Sequence, residues 1–83
     1  MKFEMFSRVA LKTDVPEEGL RRGDVATVVE YHPGRPGQEP GYSLEVFNAV
    51  GETVAVITLR ESQIEPLSPN GILHIRPLAA AAA

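Results

Sequence analysis

The sequence contains no cysteine and no long apolar run, and both absences narrow the class of protein. Without cysteine, neither disulfide bonds nor thiolate metal ligands support the fold, so the core must form by ordinary hydrophobic burial. No apolar segment approaches the roughly 18–20 residues that a membrane-spanning helix needs. The first segment, MKFEMFSRVAL, carries Glu4 and Arg8 and lacks the uninterrupted apolar stretch of a secretory signal peptide. We therefore expect a cytoplasmic protein.

Positive charge is also scarce. The 83 residues include 11 acids and 8 lysines or arginines, which gives a formal net charge of −3. The bases are scattered, and only Arg21 and Arg22 are neighbours. Non-specific nucleic-acid binding depends on a basic surface, so this balance disfavours it. A chain of this length forms one small domain, without room for a deep cofactor cleft between two subdomains.

Glycine and proline, seven of each, separate short stretches rich in Val, Ile, Leu and Thr. No window shows a sustained apolar period of about 3.6 residues, so no long amphipathic helix is expected. The pattern is typical of a small all-β barrel with about five short antiparallel strands. The predicted strands are residues 6–11, 24–31, 42–47, 53–59 and 64–67. We assign residues 1–67 to this domain and residues 68–83 to a C-terminal tail.

The second predicted strand, DVATVVEY, has apolar residues on both of its faces. Val25, Val29 and Tyr31 share one parity, whereas Ala26 and Val28 share the other. A strand in so small a barrel needs a bulge in order to bend. We therefore predict a bulge near Val29 that turns both Val28 and Tyr31 inward.

The stretch TDVPEEGLRRG (residues 13–23), which leads into Asp24 at the start of that strand, is interpreted as a structured loop. Pro16 suits the first position of a single helical turn, and Asp14 is expected to accept from backbone N–H groups near Glu17. Leu20 is expected to close one end of the core. The Arg-Gly-Asp tripeptide matches a cell-adhesion signal, but glycine and aspartate also make the turn that opens a strand. Because we expect a cytoplasmic protein, which does not meet cell-surface receptors, we interpret the tripeptide as a turn.

This order of strands and loops resembles that of the SH3-like barrel. The segments RVALKTDVPEEGLRRGDVATVVEY, GYSLEVF, GETVAVITL and SQIEPL resemble a family of small bacterial proteins described as a domain of unknown function. The same pattern is similar to the C-terminal barrel of nitrile hydratase beta subunits, to photosystem I reaction-centre subunit IV and to KOW-type domains. The resemblance covers residues 6–67 and implies a protein partner rather than a reaction, because the fold hosts many functions. KOW-like sequences usually have glycine where this chain has Ala26.

The sequence offers no catalytic or metal-binding constellation. His32 and His74 are the only histidines, and a metal site needs three or four ligands in a fixed geometry. No serine has a histidine at a suggestive spacing. The motif GRPG is not a phosphate loop, because Pro36 lacks the N–H donor that such a loop needs. We therefore expect no enzyme activity, no cofactor and no metal.

The fourth predicted strand, TVAVITL, is apolar on both faces. Ala55, Ile57 and Leu59 would face the core, which leaves Val54 and Val56 on the outside. Each exposed valine forgoes roughly 1.5–3 kcal/mol of burial, and two side by side begin an apolar patch. We therefore expect another element to cover this patch.

The tail contains apolar residues that could cover this patch: Ile72, Leu73, Ile75 and Leu78. We predict either that residues 71–78 form a sixth strand or lie across the patch, or that a second copy or another protein covers it. Ala79 to Ala83 are too few to hold a helix alone. These five alanines need not be native, and we assign them no function. The predicted apolar contacts with a partner are Val54, Val56, Ile72 and Ile75.

Two further sets of side chains complete the predicted interaction surface. The polar set, in the long loop, is Glu17, Arg21 and Arg22. Glu17 and Glu18 are also near enough in sequence to pair with the arginines. Tyr31 and Tyr42 flank the Pro/Gly-rich loop, where they either form an aromatic rim or divide into one core and one half-buried residue.

Together these features predict a non-enzymatic protein-interaction module. Its expected partner is another bacterial protein encoded nearby, such as a toxin-like protein or an enzyme subunit, with a homodimer as an alternative. A rival from another class is a KOW-like nucleic-acid-binding domain, and a third reading is an accessory subunit of a nitrile-hydratase-like enzyme. The rival nucleic-acid contacts are Arg8, Lys12, Arg21, Arg22 and Tyr31.

Overall fold

The computed structural model describes residues 1–78, which form a single antiparallel sheet of five strands. The strands are β1 (Arg8–Leu11), β2 (Val25–His32), β3 (Gly41–Phe47), β4 (Thr53–Arg60) and β5 (Ile64–Pro66). They lie in the order β4-β3-β2-β1-β5, and two single 3₁₀ turns occur at Pro16–Glu18 and Glu61–Gln63. The prediction of a small all-β domain of five antiparallel strands is confirmed. No helix in residues 1–78 is long and apolar enough to cross a membrane.

One face of the sheet supplies the core, because side chains alternate between the two faces of each strand. In β1, Val9 and Leu11 are buried as predicted, and Leu20 from the long loop is buried beside them. The buried residues form one cluster: Phe3, Val9, Leu11, Val15, Leu20, Ala26, Val28, Tyr42, Leu44, Val46, Ile57 and Ile64.

A bulge interrupts β2 where the sequence predicts one. Val28 pairs with Leu44, but the next pair joins Glu30 to Ser43, so Val29 is the extra residue. The added residue shifts the alternation of the strand by one position. Val28 is therefore fully buried, and Tyr31 packs half-buried against the same core.

A second bulge, in β4, was not expected and changes the outer face of that strand. The register shifts at the Val46–Phe47 step of β3, which leaves Val54 as the extra residue of β4. Val54 consequently packs half-buried against the core, whereas Val56 stays 59% exposed. The prediction that both valines share the outer face is wrong for Val54, because the bulge turns it inward.

The tail adds no sixth strand, since residues 71–78 lie outside the five strands. It also leaves Val56 uncovered. Ile72 and Ile75 are themselves 88% and 80% exposed. The prediction that the tail extends the sheet or covers both valines is therefore wrong. The alanines at 79–83 lie outside the described residues.

Tyr42 organises the interior through its hydroxyl. The oxygen accepts from the backbone N–H groups of Lys2 (3.0 Å) and Phe3 (3.3 Å), and the hydroxyl donates to Glu61 Oε2 at 2.7 Å. The Phe3 ring meets the Tyr42 ring edge-on, with centroids 5.4 Å apart. Burial, followed by the hydrogen bond to Glu61, raises the pKa of Tyr42 above its usual range. The predicted aromatic rim is wrong for Tyr42, which is fully buried beside the half-buried Tyr31.

Replacing Tyr42 with phenylalanine should lower the free energy of unfolding by about 1–3 kcal/mol, because the buried N–H of Phe3 loses its acceptor. Tyr31→Phe is the matched control and should change stability by less than about 0.5 kcal/mol. Urea unfolding followed by circular dichroism measures both values. Equal losses in the two variants would contradict the assigned role of the Tyr42 hydroxyl.

Candidate functional site

An open groove of about 1110 Å³ runs between the tail and one end of the sheet. On the sheet side it is bordered by the start of β2, the end of β3 and Val54 of β4. The loop that ends in Asp24 and the hairpin after β3 flank it, and the tail from Ile72 closes the remaining side. Residues distant in sequence therefore share one concave surface.

Five of the nine predicted contact residues meet in this groove. They are Val54, Ile72, Ile75, Arg21 and Arg22. The other four lie elsewhere: Val56 is exposed in the middle of β4, Glu17 is on the first 3₁₀ turn, Tyr31 is half-buried and Tyr42 is in the core. The apolar and the polar set were predicted from separate arguments, and the fold brings most of both together.

Backbone hydrogen bonds to two aspartates hold the arginine pair in place. Asp24 Oδ2 accepts from the N–H of Arg21 at 2.7 Å, and Asp14 Oδ1 accepts from that of Arg22 at 2.8 Å. Gly23 adopts a φ of 93°, which favours glycine at this turn. The Arg-Gly-Asp tripeptide is thus the predicted turn. The expected hydrogen bond from an N–H near Glu17 to the Asp14 carboxylate is wrong, because the loop folds back and the N–H of Arg22 reaches that carboxylate instead.

Arg76 anchors the tail to the same turn. Its Nε donates to Asp24 Oδ1 at 3.1 Å, its Nη2 donates to Oδ2, and Nη2 also donates to the carbonyl of Gly19 at 3.2 Å. Both side chains of the pair are only about one-fifth exposed. The hydrogen bond that Arg76 donates to Asp24 raises the pKa of Arg76 above its usual range. No local sequence pattern indicates this contact, since 52 positions separate the partners.

The groove is basic although the chain is acidic. Four arginines and one aspartate line it, which gives a net charge of +3. The remaining residues of the chain contain ten acids and four bases. Within residues 1–78, Arg8, Arg21 and Arg22 form no ion pair, so the predicted pairing of the arginines with Glu17 and Glu18 does not occur. Three guanidinium groups are therefore available to an acidic ligand.

A second polar cluster lies on the outer face of the sheet. His32 Nε2 is 2.7 Å from Ser43 Oγ, which in turn is 3.3 Å from Thr58 Oγ1. The carboxylate of Glu30 approaches the same ring nitrogen, at 3.9 Å, and so does not orient the other nitrogen as in a catalytic triad. This row is a cross-strand hydrogen-bond ladder, which sequence spacing did not reveal because its members lie on three strands.

In residues 1–78 no three His, Cys, Asp or Glu side chains converge in a way that suits a metal ion. The cross-strand ladder and the groove are the two candidate binding sites described above. Of these two, the groove combines charge, apolar surface and a concave shape.

A family described as a domain of unknown function, DUF4926, matches residues 5–66. The chain belongs to this family. The match spans all five strands and ends where the tail begins, so Arg76 and the apolar tail residues lie outside it. No curated protein and no solved structure matches the chain. The groove thus joins a wall contributed by the family domain to a wall contributed by this chain's own tail.

Replacing Arg76 with alanine should release the tail, because it removes the guanidinium that bonds Asp24 and Gly19. Chymotrypsin cleavage after Leu73, followed by mass spectrometry, should accelerate at least about tenfold, which corresponds to the loss of about 1.4 kcal/mol of anchoring.

Arg21→Ala provides the matched control, since it removes a groove arginine whose side chain makes no such bond. Unchanged cleavage of the Arg76 variant, or equal acceleration in both variants, would contradict the anchoring role.

Proposed function

We propose that this chain is a non-enzymatic protein-interaction module with an SH3-like barrel, and that its groove binds an acidic, apolar segment of another bacterial protein. The strand order β4-β3-β2-β1-β5 supports the SH3-like assignment, because it places β1 between β2 and β5 as that barrel requires. The groove, basic in an acidic chain, is the observation that carries the functional proposal.

The charge of the groove selects the chemistry of the ligand. The three unpaired guanidinium groups can each make bidentate hydrogen bonds to a carboxylate. The acidic remainder of the surface repels a negatively charged partner everywhere else, which confines productive encounters to the groove. An acidic segment is therefore favoured over a basic or neutral one.

The apolar surface of the tail selects against a purely polar ligand. Ile72, Leu73 and Ile75 stay largely exposed although Arg76 fixes the tail nearby. Apolar side chains held in position lose little additional entropy on binding, so a partner that covers them gains most of the burial free energy. We infer that the bound segment carries aliphatic side chains between its acids.

A nucleic acid is the second candidate, because the same arginines would suit phosphates. Its predicted contacts are only partly assembled: Arg8, Arg21 and Arg22 line the groove, but Lys12 and Tyr31 do not. Phe47 and His74 are the two ring-bearing side chains among the described residues that line the groove, so it offers few rings for stacking bases. The protein ligand is therefore favoured.

The proposal is tested with three labelled probes: a dodecapeptide of alternating glutamate and valine, its lysine counterpart and a single-stranded RNA. Fluorescence anisotropy should show binding of the acidic peptide alone. The double variant Arg21→Glu/Arg22→Glu and the variant Ile75→Ser should each weaken that binding at least about tenfold, or 1.4 kcal/mol. Arg35→Glu, an exposed arginine outside the groove, should leave it unchanged.

Failure of the acidic peptide to bind, or equal effects of the groove and control variants, would overturn the proposal. Binding of RNA with a steep loss of affinity as salt increases would replace it with the nucleic-acid function. Co-expression with proteins encoded next to this chain then identifies the natural partner, and the same groove variants show whether that partner uses the groove.

A further inference from the structure

β4 is an edge strand whose second side has no strand partner within residues 1–78. Its pairing with β3 is regular over six consecutive positions, from Gly41 opposite Arg60 to Val46 opposite Ala55. A regular edge of this length extends about 20 Å and presents a row of backbone donors and acceptors. This edge is therefore a template for a further strand.

The sequence of β4 does not protect this edge. Residues 53–59, TVAVITL, contain no charge and no proline, and most are β-branched. Natural edge strands usually carry a lysine, a proline or an inward-pointing charge that prevents pairing. The irregularity in its pairing with β3, the bulge at Val54, lies at the beginning of the strand, and the six positions from Ala55 to Arg60 keep a regular register.

We propose that β4 pairs antiparallel with β4 of a second copy of this chain, which joins the two sheets edge to edge. Charge favours this occupant and this orientation. Glu52 precedes the uncharged segment and Arg60 ends it, so antiparallel pairing places each arginine end beside the glutamate end of the other copy. Parallel pairing would instead place like charges together.

Val56 is the side chain that the pairing covers. It lies in the middle of the edge, on the outer face, and is 59% exposed. A two-fold axis near this position brings the two Val56 side chains together, and β-branched side chains opposite each other stabilise antiparallel strands. Of β4, only Val54 lines the groove, so the dimer leaves the groove open in both copies.

The oligomeric state tests this inference. Sedimentation equilibrium of the whole chain should show a concentration-dependent monomer–dimer equilibrium. Val56→Lys should weaken dimerisation at least about tenfold, because it sets two like charges opposite each other at the edge. Val50→Lys is the matched control: Val50 is 81% exposed but lies in the hairpin turn, so dimerisation should not change.

Charge reversal tests the orientation. Arg60→Glu should weaken the dimer, and the double variant Glu52→Lys/Arg60→Glu should restore it. A chain that stays monomeric up to about 1 mM overturns the inference. A dimer that tolerates Val56→Lys, or one that Ile75→Ser abolishes instead, also overturns it, because association would then use another surface. Each of these outcomes is independent of peptide binding in the groove.

Discussion

Asp24 connects three parts of this protein, two of them through its carboxylate and one through its backbone carbonyl. The carboxylate accepts from the backbone of Arg21 within its own turn and from the guanidinium of Arg76 in the tail. The backbone carbonyl of Asp24 also accepts from Leu11, at 2.9 Å, which ties the same residue to the first strand. The direction of the tail, and hence the existence of a groove, depends on the Asp24 side chain, which together with Asp14 also positions the arginine loop. A charge-assisted contact of this kind, four-fifths buried, contributes more than an exposed ion pair.

The second constraint is that a single sheet has only one core. Two bulges adapt the strands to it: the one at Val29 lets Val28 and Tyr31 both face inward, and the one at Val54 turns that valine away from the outer face. Val56 is then the one large apolar side chain of β4 that is exposed on the outer face. The bulges therefore separate two surfaces, a groove at one end of the sheet and an edge along its side, which are free to serve two different contacts.

Much of the fold could be predicted because it follows from local patterning. Alternation of apolar residues located all five strands, and apolar residues of both parities located the bulge at Val29. β4 carries the same signal, apolar residues of both parities, but that pattern was interpreted as an exposed patch, so the bulge at Val54 was missed. The Phe3–Tyr42 and Asp24–Arg76 contacts were not predicted, because each joins residues that are far apart in the chain. The sequence analysis predicted the apolar contacts and the arginine contacts as separate sets. The Arg76–Asp24 contact brings most of both sets to one groove.

The groove exists only if the tail is held against the domain rather than free in solution. Backbone ¹⁵N relaxation of the whole chain measures this directly, residue by residue. If Arg76 anchors the tail to Asp24, the order parameters of residues 72–76 should approach those of the five strands, about 0.85. Values below about 0.6 across those residues, as for an unattached chain end, would contradict it.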